Sequence, residues 1–90
     1  MTDTTKIRIA RALMKLRSGV DDFEALDAET QTTLLAEAAV ALEAAREPTQ
    51  AMIEAGVEII QNVHAGESGA AFASDAANTW RFMMDIAATE

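Results

Sequence analysis

The chain contains no cysteine, so disulfides play no part in its stability. That absence fits a reducing, intracellular setting. One proline and four glycines in 90 residues leave few helix breakers. No apolar run reaches the roughly 20 residues that a membrane span requires. The first residues lack the continuous apolar stretch of a secretory signal. They read as an integral first helix, and a cytoplasmic location is expected. One histidine leaves little material for a metal centre or a general base.

Twenty of the 90 residues are alanine, the strongest helix former and a small contributor of core volume. An all-α fold in a single domain, residues 1–90, follows: a compact bundle of about four helices. A chain of this length has room for one small core and little for a deep substrate pocket.

Basic residues are scarce after position 17. Lys6, Arg8, Arg11, Lys15 and Arg17 stand against Asp3 in the first 17 positions, a net of +4. The remaining 14 acidic residues face only Arg46 and Arg81, a net of −12, which gives the overall −8. Such asymmetry bears on partners, not on fold.

Helical periodicity places the elements. Helix one is expected over Thr5–Ser18, with Ile9, Leu13, Leu16 and Val20 on one face and Arg8, Arg11 and Lys15 opposite. Gly19 suits the left-handed residue that ends a helix. Residues 21–26 form a connector with one short helical turn, and Phe23 and Leu26 plug the core. Asp27 is the N-cap of helix two, over Ala28–Arg46. Leu34, Leu35, Ala38, Leu42 and Ala45 form its buried stripe. Helix three carries Pro48 in its first turn and runs to His64, with Met52, Ile53, Ile59, Ile60 and Val63 facing the core. Gly56 in the middle of that face implies the close approach of another helix. Residues 65–69 read as a loop. Helix four starts near Ala70 or Ser74 and ends near Ala88. Phe72, Trp80, Met83 and Met84 share a broad face with several alanines.

No residue set has the form of a catalytic, cofactor or metal site. Glu43/Glu47 and Glu54/Glu58 are carboxylate pairs at i,i+4, but no Glu-x-x-His motif accompanies them as di-metal bundles require. His64 suits a helix end. Gly66-Glu67-Ser68-Gly69 lacks the Lys-Ser/Thr ending of a phosphate loop. Surfaces are the stronger candidates. Glu29, Glu37, Glu43, Glu47, Glu54 and Glu58 lie on the acidic sides of helices two and three, where carboxylates can imitate a phosphate ladder. Phe82 and Ile86 lie opposite Trp80. Either helix four is buried on both sides, or these two form an exposed apolar anchor.

Two segments resemble a pattern that recurs in small bacteriophage and prophage proteins. One is Arg46-Glu47-Pro48-Thr49, followed by Ala51-Met52 and Gly56. The other is Trp80-Arg81-Phe82-Met83-Met84-Asp85. The resemblance implies a phage or mobile-element origin and carries no catalytic residue. Small acidic proteins of that class resemble inhibitors of host machinery, the anti-CRISPR proteins among them. The first expectation is therefore a non-enzymatic inhibitor that binds the basic surface of a host nucleic-acid-binding complex. A self-associating phage accessory protein, dimeric through the outer face of helix four, is the alternative. A DNA-binding regulator using the basic first helix comes third, because the net charge opposes direct nucleic-acid binding. No membrane partner is expected.

Overall fold

The computed structural model describes residues 3–63 and 69–90, without the side chains at 62, 63, 69 and 70. Among the described residues there are four α-helices, one 3-10 turn and no strand, as the all-α class requires. The helices are α1 (Thr5–Ser18), α2 (Ala28–Ala45), α3 (Gln50–Val63) and α4 (Gly69–Thr89), and the 3-10 turn is Phe23–Ala25. The chain divides into two units, Met1–Ala44 with Ile86–Glu90, and Ala45–Asp85.

In the first unit, local chemistry sets both ends of α1. Thr4 is extended, and its hydroxyl accepts the Ile7 N–H at 3.3 Å. Gly19 has φ +80° and closes the helix with its N–H on the Lys15 carbonyl at 2.8 Å. Lys15 and Arg17 in the last turn suit the negative end of the helix dipole. The Glu90 carboxylate accepts the Thr5 N–H at 2.7 Å, meeting the positive end. Asp27 stands just before α2, where its carbonyl accepts the Gln31 N–H and its carboxylate accepts the Thr30 hydroxyl.

The core of this unit joins Ala10, Phe23 and Leu34, with Ile7, Leu13, Met14, Leu26 and Leu35 packed around them. Phe23 is thus the expected plug. The Gln31 amide donates to the Phe23 and Leu26 carbonyls at 3.0 and 3.1 Å, which fixes the connector against α2. The expected burial of Leu16 and Val20 does not occur; they are 82% and 54% exposed. The buried arc of α1 is centred on Ala10 because Phe23 and Leu34 meet the helix there. Leu16 is rotated away from that contact. Ala45, expected in the buried stripe of α2, is exposed.

In the second unit α3 begins later than Pro48 suggested. Thr49 is the cap: its hydroxyl accepts the Met52 N–H at 3.2 Å and its carbonyl accepts the Ile53 N–H at 3.0 Å. Gly56 is needed for close helix approach. A Cβ at Gly56 would lie 2.8 Å from the Ala76 Cβ and 3.7 Å from its Cα. The inward arc of α3 is consequently Ile53, Gly56, Val57 and Ile60, all half-buried. Ile59, expected in the core, lies outside that arc and is 67% exposed. Met52 and Met83 also point outward, against expectation. Phe72 and Ala77 of α4 are buried, and helix extends through 70–75. The expected core position of Val63, the role of His64 and the loop at 65–68 lie outside the described residues and side chains.

The Gly56–Ala76 contact gives a direct test. Gly56→Ala gains about 1 kcal/mol in helix propensity but overpacks a rigid backbone contact at about 1–3 kcal/mol. We expect net destabilisation, visible as a lower Tm in thermal melts followed by circular dichroism. Gly56→Ala/Ala76→Gly should recover most of the loss, because the clashing Cβ is removed.

Candidate functional site

The six glutamates do not behave as one group. Glu29 and Glu43 on α2, and Glu54 and Glu58 on α3, are exposed. Among the described residues none of these four pairs with a lysine or arginine; Glu54 accepts only a long hydrogen bond from the Gln50 amide at 3.4 Å. Glu37 and Glu47 are engaged internally. Arg17 holds Glu37 through both guanidinium amines, one of them at 3.1 Å. That pairing pushes the Glu37 carboxyl below its usual range and the Arg17 guanidinium above its own.

Glu47 belongs to a larger tie within the second unit. Arg81 donates to one Glu47 oxygen through Nε and Nη2 at 3.1 and 2.9 Å, and Arg46 donates to the other at 3.0 Å. Arg46 also grips Asp85 with Nε and Nη2 at 2.8 and 3.3 Å, a fork-to-fork geometry. Arg81 Nη1 reaches Asn78 at 3.2 Å. The Trp80 indole N–H donates to the Ala45 carbonyl at 2.8 Å, satisfying the last carbonyl of α2. The Arg-Glu-Pro-Thr and Trp-x-x-Met-Met-Asp segments are therefore two halves of one clamp. Their residue types follow from this contact without a ligand. Arg81, foremost, and Arg46 hold the Glu47 carboxyl below its usual range, and Arg46 does the same to Asp85. Spacing within the sequence cannot pair residues this distant.

The basic residues of α1 separate in the same way. Arg11 donates to Asp3 at 2.7 Å, to the Asp21 carbonyl at 2.9 Å and to Glu24. Its guanidinium also lies 5.8 Å from the centre of the Phe23 ring, in cation–π range. Glu24, then Asp3, raise its pKa further above the usual range. Arg11 thus ties α1 to its connector and is no part of an open basic stripe. Arg8 and Lys15 remain exposed and form no ion pair among the described residues.

Phe82 and Ile86 are 67% and 50% exposed, so α4 is not buried on both sides. A separate recess of about 260 Å³ in the first unit is lined by Met14, Arg17, Ser18, Leu26, Thr30 and Leu34. Its polar groups are occupied: Arg17 by Glu37, Ser18 by the Met14 carbonyl, Thr30 by Asp27. The hydroxyls of Thr32 and Thr33 likewise bond back to helix carbonyls. Among the described residues no three acidic or histidine side chains are gathered as metal ligands, and no helix is long and apolar enough to cross a membrane. No protein family, curated protein or solved structure matches the chain.

The ion pairs carry a pH dependence with a definite sign. Glu24, Glu37, Glu47, Asp85 and Glu90 all titrate below their ordinary values when folded. Their contribution is present above the ordinary range and is lost as pH falls through the lowered values. We expect Tm to hold down to about pH 5 and to drop below the ordinary glutamate value of 4.5. Glu47→Gln should lower Tm at neutral pH and make the acid-side loss shallower. An unchanged acid profile would show that the clamp contributes nothing to stability.

Proposed function

We propose that this chain is a non-enzymatic, acidic interaction protein of phage or mobile-element type, acting in the bacterial cytoplasm. It inhibits a host nucleic-acid-binding complex, in the manner of an anti-CRISPR protein, by occupying that complex's basic surface. The supporting observation is the exposed set Glu29, Glu43, Glu54 and Glu58, whose charge is not spent on arginines of the fold. Glu54 and Glu58 are one helical turn apart, a rise of about 6 Å. They present paired negative charge on a preformed helix. A groove that binds a polyanion releases counterions to such a surface much as it does to phosphates.

Glu37 and Glu47 have a different part in this proposal: they hold the fold and leave recognition to the other four. Phe82 supplies an apolar anchor, since an exposed aromatic set among polar neighbours is the residue type that dominates binding energies. The resemblance of the two clamp segments to phage proteins supports the origin.

Affinity capture from bacterial lysate, followed by nucleic-acid-binding assays on the captured complex, tests the proposal. Capture should weaken steeply between low and high salt, and the captured complex should lose its nucleic acid. Glu43→Lys/Glu54→Lys/Glu58→Lys should retain its helical circular-dichroism spectrum and lose capture. Salt-independent capture, or full inhibition by the triple variant, would sink the idea.

A further inference from the structure

α1 and α3 each leave an apolar strip uncovered, and the two strips are edged by opposite charges. On α1, steps of about 100° per residue put Arg8 and Lys15 side by side, with Leu16 roughly 80–100° round the helix from them, at the edge of the apolar face, and Ala12 between. All four are exposed, Leu16 at 82%. On α3, Met52, Ala55 and Ile59 adjoin Glu54 and Glu58 on the outward arc, all of them exposed. Leu16 and Ile59 are among the most exposed large hydrophobics of the chain. Neither Lys15 nor the two glutamates has an ion-pair partner among the described residues, and Arg8 acts only through space, on Glu90.

We propose that the outward face of α1 docks on the outward face of α3 of a second copy of this chain. Charge complementarity selects this occupant. A polyanion would meet only two uncommitted cations on this arc, because Arg11 and Arg17 are held by Asp3, Glu24 and Glu37. It would also meet an uncovered leucine that it cannot use. The α3 face answers each feature: Ile59 and Met52 against Leu16, and Glu54 and Glu58 against Arg8 and Lys15. Arg8 and Lys15 are separated by a rise of about 10 Å and the glutamates by about 6 Å, a difference that long side chains span.

Each copy offers both patches, so the contact is either reciprocated within a two-fold dimer or passed on to further copies. An interface of a few helical turns is small, so association is weak and fast.

Sedimentation equilibrium of the full chain, taken up to roughly 1 mM protein at low and high salt, tests this. Average mass should rise with concentration and fall back toward the monomer in high salt. Arg8→Glu/Lys15→Glu should be monomeric, and so should Glu54→Lys/Glu58→Lys. An equimolar mixture of the two should associate again, since each now carries the face the other needs. Lys15→Gln alone, at a side chain with no ion-pair partner among the described residues, should weaken association while leaving the helical circular-dichroism spectrum unchanged. Phe82→Asp should leave association intact. A monomer at every concentration, no recovery in the mixture, or loss with Phe82→Asp would overturn the proposal. So would binding of Arg8 and Lys15 to anionic vesicles or duplex DNA without self-association. The α1 reversal should leave host capture unchanged, so the failure of either proposal is separable from the other.

Discussion

Among the described residues, alanine occupies four of the eight buried hydrophobic positions, Ala10, Ala38, Ala77 and Ala87. That fact constrains everything else in the structure. A methyl group removes little area from water, so an alanine-rich helix gains dispersion only where a neighbour comes very near. Ala10 beneath Phe23 and Leu34, and Gly56 against Ala76, are places where this approach is achieved. Large side chains beyond these have little core to enter, and several of them stay in water.

Directional ties accompany this small core. Arg11, Arg17, Arg46 and Arg81 each hold one or more carboxylates. Guanidinium suits this role because its planar fork engages a carboxylate through two donors at once. Four of the seven basic residues are consumed in this way. The charge asymmetry along the sequence is therefore not the asymmetry of the surface. Much of the basic N-terminal segment is neutralised where it stands, and the negative charge left over collects on the outward sides of α2 and α3.

Local features were legible from the residues. Helix ends are written in residues that act within a few positions, such as Thr4 and Gly19, and the structure follows both closely, whereas the Asp27 carboxylate takes the Thr30 hydroxyl. Gly56 declared a close approach because a glycine in an apolar helical face is otherwise a cost. The phase of each helix was not legible. Periodicity shows that a face exists, but the neighbour determines which part of it is covered. Leu16 and Ile59 match the pattern and still lie outside the contact made by Ala10 and Gly56. The clamp was hidden for a related reason: Arg46 and Asp85 are 39 positions apart, and no spacing rule joins them. Of the candidate surface residues, sequence placed the glutamates on helices but could not say which ones an arginine would claim.

The chain has a single tryptophan, and its indole N–H is bound to the carbonyl that ends α2. The protein thus carries a built-in optical reporter of one particular closure. When that closure opens, the indole exchanges a fixed carbonyl for water and its emission shifts to the red. Events confined to α1 and its connector change no other chromophore of this kind and pass unseen. Light emitted at Trp80 therefore separates the opening of one half of the molecule from that of the other, without a label.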